Sequence, residues 1–77
     1  MTFPIKVMGA VESNLEAIVI PILRKNKVDI ERAQIEEKLS KGGKYNSITV
    51  TFIAESKEQL DEIYRELSAN PLVLMVL

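Results

Sequence analysis

Lysines and hydroxyls, rather than thiols or imidazoles, carry the clearest chemical potential of this sequence. Lys6 stands in the alternating run Phe3-Pro4-Ile5-Lys6-Val7-Met8, and a second alternating run puts Ser47, Thr49 and Thr51 on one side. If the two runs are neighbouring strands, an ammonium lies beside a row of hydroxyl donors. Such a group can hold a carboxylate or a phosphate through charge-assisted hydrogen bonds. The plainer alternative is a solvated lysine that keeps an exposed face soluble. A second cationic feature is Lys41-Gly42-Gly43-Lys44, whose flexible amides between two cations resemble an anion cradle. It lacks the Gly-x-x-x-x-Gly-Lys-Ser/Thr pattern and joins two strands, so a hairpin tip competes with that reading. Tyr45 shares parity with Ser47 and could stack on a base or ring. One tyrosine is a poor platform, because RNA recognition on a sheet uses two or more aromatics.

Other chemistries fall away on composition. The 77 residues contain no Cys, His or Trp. That removes disulfides, thiolate nucleophiles, Cys/His zinc sites and histidine acid–base catalysis together. Adjacent carboxylates occur as Glu36-Glu37 and Asp61-Glu62, pairs expected to point apart or into water. No catalytic set, metal site or cofactor is expected. The net charge is -1, with 10 basic residues against 11 acidic ones. Generic nucleic-acid binding, which needs a basic excess for phosphate contact, is therefore disfavoured. RNA binding through Lys6, Lys38, Lys41, Lys44 and Tyr45 stays as the rival reading.

The elements that must position these residues follow from periodicity. The first run is a strand with Phe3, Ile5 and Val7 on one side, ended by Gly9. Ser13-Asn14-Leu15-Glu16 has the form of a capping box. Leu15, Ile18, Val19, Ile22 and Leu23 then trace one helical face, with a kink or break expected at Pro21. Residues 30–39 read as a half-exposed strand with Ala33, Ile35 and Leu39 on one side, although Glu36-Glu37-Lys38 would also suit a helix. After the glycine turn, residues 46–54 alternate cleanly, with Ile48, Val50 and Phe52 inward. Ser56-Lys57-Glu58-Gln59 opens a second helix with its face at Leu60, Ile63, Tyr64 and Leu67. Asn70-Pro71 stops it, and residues 72–77 close as an apolar strand.

Strand–helix–strand–strand–helix–strand within residues 1–77 makes one α+β domain. The compact solution is a ferredoxin-like βαββαβ sandwich, an antiparallel sheet of order 4-1-3-2 with two helices on one face. Acylphosphatases share that shape but need an arginine in the first loop, and residues 9–14 contain none. Apolar runs at residues 17–23 and 72–77 are far short of the roughly 20 needed to span a bilayer. With no signal-peptide pattern at the start, a cytoplasmic location is expected.

Three segments carry a resemblance. Phe3-Pro4-Ile5-Lys6-Val7-Met8-Gly9, the stretch from Ser40-Lys41-Gly42-Gly43-Lys44 to Val50, and the ending Leu74-Met75-Val76-Leu77 resemble the YbeD-like family, small bacterial proteins of unknown function. The resemblance implies an ACT-like fold, and a longer lead before the Phe-Pro pair than this chain has. ACT domains are regulatory modules that bind amino acids at the loop after the first strand. It therefore adds Gly9 as a candidate, with Glu12 suited to an amino group, against a glycine needed only for a tight turn. The expected role is a non-catalytic regulatory or interaction module, sensing a small anionic or amino-acid-like effector or modulating a partner protein. The candidate ligand set is Lys6, Gly9, Lys41, Lys44, Tyr45, Ser47 and Thr49. The last strand is apolar on both faces although the sheet covers one, so a homo-oligomer is expected.

Overall fold

The computed structural model describes residues 2–40 and 42–77. Its elements run β1 (Thr2–Ala10), α1 (Leu15–Lys25), β2 (Gln34–Leu39), β3 (Tyr45–Ile53), α2 (Lys57–Ala69) and β4 (Val73–Val76). The strands form one antiparallel sheet of order β2-β3-β1-β4, the expected 4-1-3-2 read from the other edge. Both helices lie on one face. The core is built from the alternate positions that the pattern assigns inward: Ile5 and Val7 from β1, and Ile48, Val50 and Phe52 from β3. Against them pack Leu15, Val19 and Leu23 of α1, and Leu60, Ile63 and Leu67 of α2. Among the described residues no helix is long and apolar enough to cross a membrane.

The helix starts are set by side chains that accept otherwise unpaired amides. In α1 the cap is Asn14, not Ser13: its Oδ1 accepts from the Ala17 amide at 3.2 Å. Asn14 sits three residues before that amide, so it wins over a serine one residue further back. In α2, Ser56 caps as expected, accepting from the Gln59 amide at 3.1 Å. Gln59 does not return the bond to Ser56. Its Oε1 accepts from the Glu55 amide at 2.7 Å, while its Nε2 donates to the Asn26 carbonyl at 2.8 Å. The start of α2 is thereby tied to the end of α1.

Pro21 does not divide α1, which runs through it as one helix. Past the helix end, Lys27 adopts φ 66°, a left-handed conformation more often given to glycine. Near this end a polar clasp joins the helices. Lys25 Nζ meets Glu66 Oε1 at 2.7 Å, and Asn26 Nδ2 donates to Glu66 Oε2 at 2.7 Å and to the Ile22 carbonyl at 2.8 Å. The Lys25 ammonium, helped by the Asn26 amide, holds the Glu66 carboxyl below its ordinary pKa. The same bond raises that of Lys25.

Two boundaries differ from the sequence reading. The second strand begins at Gln34, not near residue 30, because Ile30 and Ala33 turn inward and pack against the core. All six of its residues are exposed, so it is not half-covered as expected. The helices sit over β1, β3 and β4, and β2 overhangs them at the edge. Gly9 does not end β1. It lies within the strand, buried, opposite Asn46 and Val73, and the strand continues to Ala10.

Candidate functional site

The sheet face away from the helices carries most of the candidate residues. Cross-strand register lays them out in rows. Leu77, Lys6, Thr49 and Glu36 form one row, and Met75, Met8, Ser47 and Lys38 the next. Directly opposed side chains in such a ladder lie about 5 Å apart. Lys6 is exposed on this face, opposite Thr49, with Thr51 and Ser47 on the diagonals. Lys6, Ser47, Thr49 and Thr51 all stand on the face that alternation assigns them.

The hydroxyls are not equivalent. Ser47 Oγ donates to the Lys38 carbonyl at 3.2 Å, so its proton is directed to the neighbouring strand. Thr49 and Thr51 flank Lys6 and are half-buried. Among the described residues no acid forms an ion pair with Lys6. Glu36 stands in the same row two strands away, about 10 Å at normal strand spacing.

The other candidates are not brought to Lys6. Lys41 lies outside the described residues. Lys44 follows the hairpin and accepts at its carbonyl from the Val11 amide at 3.2 Å. That contact is five residues along from Lys6, about 17 Å at 3.4 Å per residue. The hairpin is the expected glycine turn, with φ 96° at Gly42 and 72° at Gly43. The Gly43 amide already donates to the Ser40 carbonyl at 2.9 Å, and the Tyr45 amide to Ser40 Oγ at 3.0 Å. The Gly43 and Tyr45 amides are thus engaged within the hairpin itself. Gly9 faces the helices beneath Leu15, on the side opposite Lys6. It is needed for close approach of chain segments, not for a tight turn.

Tyr45 has different company from that expected. With Met8, Leu74 and Met75 it lines an apolar hollow of about 200 Å³ at the β4 side of the open face. Leu74 reaches this side because the β1–β4 register slips between Met8 and Gly9, leaving Leu74 as an extra residue in β4. Tyr45, Leu72, Leu74, Met75 and Leu77 are all 46–59% exposed. Sequence reasoning picked out Tyr45 and the last strand separately. Adding the parity of Met8 to the strand order would have joined Tyr45 to Met75, but not to Leu74.

A second feature was missed. Glu37, on the helix side of β2, meets Glu16 of α1, and an open groove of about 450 Å³ runs along α1 past Glu16, Ala17, Ile20, Pro21 and Arg24. A hydrogen bond to Glu16 raises the Glu37 pKa, with burial and repulsion by Glu16 adding to it and Asn46 opposing. A carboxyl whose folded pKa is raised contributes stability in full below its unfolded pKa, and loses it as pH rises through the folded value. At neutral pH the ionised Glu37 carboxylate therefore opposes folding. Glu37→Gln is expected to melt higher than the parent at pH 7, with the gain shrinking toward pH 4. Melting curves at the two pH values check it, and an equal gain at both would remove the carboxyl pair as the cause.

Together these features define a four-stranded ferredoxin-like α+β sandwich with one bare sheet face and an apolar corner on it. The chain belongs to the family described as protein of unknown function (DUF493), which it matches over residues 1–77. It is similar to a UPF0250 protein of Leptothrix cholodnii, 49% identical over 97% of this chain and 82% of that protein. A UPF0250 protein of Neisseria meningitidis serogroup C is 42% identical over 99% of this chain and 84% of its own length. One from Paraburkholderia phytofirmans is 39% identical, covering 97% and 84%. The resemblance to a family of small bacterial proteins of unknown function is thus borne out.

Proposed function

We propose that this protein is a non-catalytic interaction module that modulates a partner protein through the β4 side of its open sheet face. The observation that carries the proposal is the cluster of Met8, Tyr45, Leu74 and Met75, apolar and solvent-facing beside a strand edge. Methionine and tyrosine suit such a surface, since one repacks easily and the other pairs an apolar ring with a polar tip. Contiguous exposed apolar side chains of this kind mark contact sites more often than isolated ones do.

The same module senses a small carboxylate or amino acid if Lys6, without an acid partner among the described residues and flanked by Thr49 and Thr51, is the anchoring charge. The RNA reading is less well supported. Glu36 shares the row with Lys6, and Tyr45 stands among methionines and leucine instead of beside a second aromatic.

Immobilised protein incubated with native bacterial extract tests the main reading. The parent is expected to retain a specific protein that a Met75→Lys variant loses and a Lys6→Gln variant keeps. Identical capture by parent and Met75→Lys would sink it. A thermal shift with small carboxylates, lost in Lys6→Gln, would instead favour the sensing form, because a bound ligand raises stability by mass action.

A further inference from the structure

We infer that the outer edge of β4 is a self-association surface, on which a second copy of this chain lays its own β4 antiparallel about a two-fold axis. The inference rests on the contact role proposed for this corner and names its occupant. β4 is last in the sheet order and, among the described residues, pairs with β1 alone. Leu77 turns both of its backbone groups to β1: the Lys6 amide donates to the Leu77 carbonyl at 3.0 Å, and the Leu77 amide to the Lys6 carbonyl at 2.8 Å. Successive residues of an antiparallel strand alternate in this respect. Val76 therefore directs its N–H and C=O to the open edge, where they template another strand.

The two edges of the sheet are dressed differently. β2 carries Glu36, Glu37 and Lys38, the charges that discourage edge pairing, whereas β4 is Val73-Leu74-Met75-Val76 with no charge at all. Head-to-tail addition would set Met75 and Leu77 against those charges and leave each chain end open to further growth. Two-fold pairing through β4 avoids both problems.

With Val76 on the axis, its N–H and C=O bond those of Val76 in the second copy. Met75 then faces Leu77 of the second copy on the open side, and the reverse contact follows by symmetry. These are non-hydrogen-bonded positions, where opposed Cα atoms come within about 4.5 Å and the side chains touch. Met8, Tyr45 and Leu74 lie directly behind on the same face, so two apolar corners merge into one. The nearest charged side chain in these rows is Lys6, in the Leu77 row. Its counterpart is at least three strand spacings away, about 14 Å, beyond the physiological screening length of about 8 Å. Repulsion between the two Lys6 ammoniums therefore does not oppose the pairing.

Sedimentation equilibrium on the full chain, from about 1 µM to about 1 mM, tests this. The mass is expected to rise from 8.7 kDa to twice that value. Met75→Lys is expected to weaken the dimer about tenfold or more, which corresponds to about 1.4 kcal/mol. Val76→Pro removes a donor that points outward and should do the same while leaving the bonds to β1 intact. Leu39→Lys, on the opposite edge, should leave association unchanged. Circular dichroism confirms that each variant folds. A chain that stays monomeric throughout, or a dimer indifferent to both β4 variants, overturns the inference. A monomer that still captures an extract protein through Met75 overturns the second copy as occupant and leaves the contact role standing.

Discussion

Truncating Ile63 to alanine is expected to lower the unfolding free energy by about 2–5 kcal/mol, the range for removing buried branched side chains. Ile63 is fully buried on α2, within the cluster that joins both helices to β1 and β3. A domain of this length holds only about 4–12 kcal/mol in total, so the loss is a large share of it. For a small domain each kcal/mol moves the melting temperature by roughly 4–8 °C, which puts the expected drop near 8 °C or above. Urea titration checks the free energy directly, with a lower midpoint and an unchanged slope expected for simple core damage. The surface comparison sharpens the result. Met75 is 51% exposed, and Met75→Lys should change monomer stability by no more than about 0.5 kcal/mol. Similar losses at both positions would mean that Met75 belongs to the core and not to a contact surface.

What the sequence made legible is what strict periodicity controls. In β1 and β3 the inward set and the outward set are separated by parity alone, and Lys6, Ser47, Thr49 and Thr51 stand on the face that parity gives them. The face of α2 at Leu60, Ile63 and Leu67 is equally plain, because three leucine or isoleucine residues at i, i+3 and i+7 admit one burial pattern. The exposure of β2 was not legible. Its alternation shows which side could be covered, while the placement of α1 over β1 and β3 leaves all six residues exposed, with Glu16 of α1 reaching Glu37. Nor was the meeting of Glu16 with Glu37, since it joins a helix start to an edge strand distant in sequence. The candidate site divides along the same line. Lys6 and its threonines were found from local pattern, whereas the hollow at Tyr45 depends on a register slip that places Leu74 where alternation would not. Gly9 shows the sharpest limit, because a glycine after a strand serves a turn or a close approach equally well, and only the neighbours distinguish the two.

Those neighbours lead to the second large effect, a loss of stability in Gly9→Ala. Replacing glycine by alanine where the backbone tolerates it usually stabilises by about 0.4–1 kcal/mol, through the unfolded chain. Here the added Cβ would lie 2.7 Å from Leu15 Cδ2 and 2.9 Å from the Leu72 carbonyl oxygen. The leucine can rotate away, but the carbonyl moves only if the chain entering β4 moves with it. Overpacking of this kind costs about 1–3 kcal/mol, which outweighs the unfolded-state gain. Gly9→Ala should therefore be less stable than the parent by about 1–2 kcal/mol once both effects are combined. Leu15→Ala separates the two contacts. In that background the cost of Gly9→Ala should shrink but persist, because the Leu72 carbonyl remains. Since Leu72 leads directly into β4, hydrogen exchange at the Leu77 amide, which donates to Lys6, should also quicken. A Gly9→Ala variant more stable than the parent would show that β4 yields freely, and a strand that yields freely makes a poor template for pairing with a second copy.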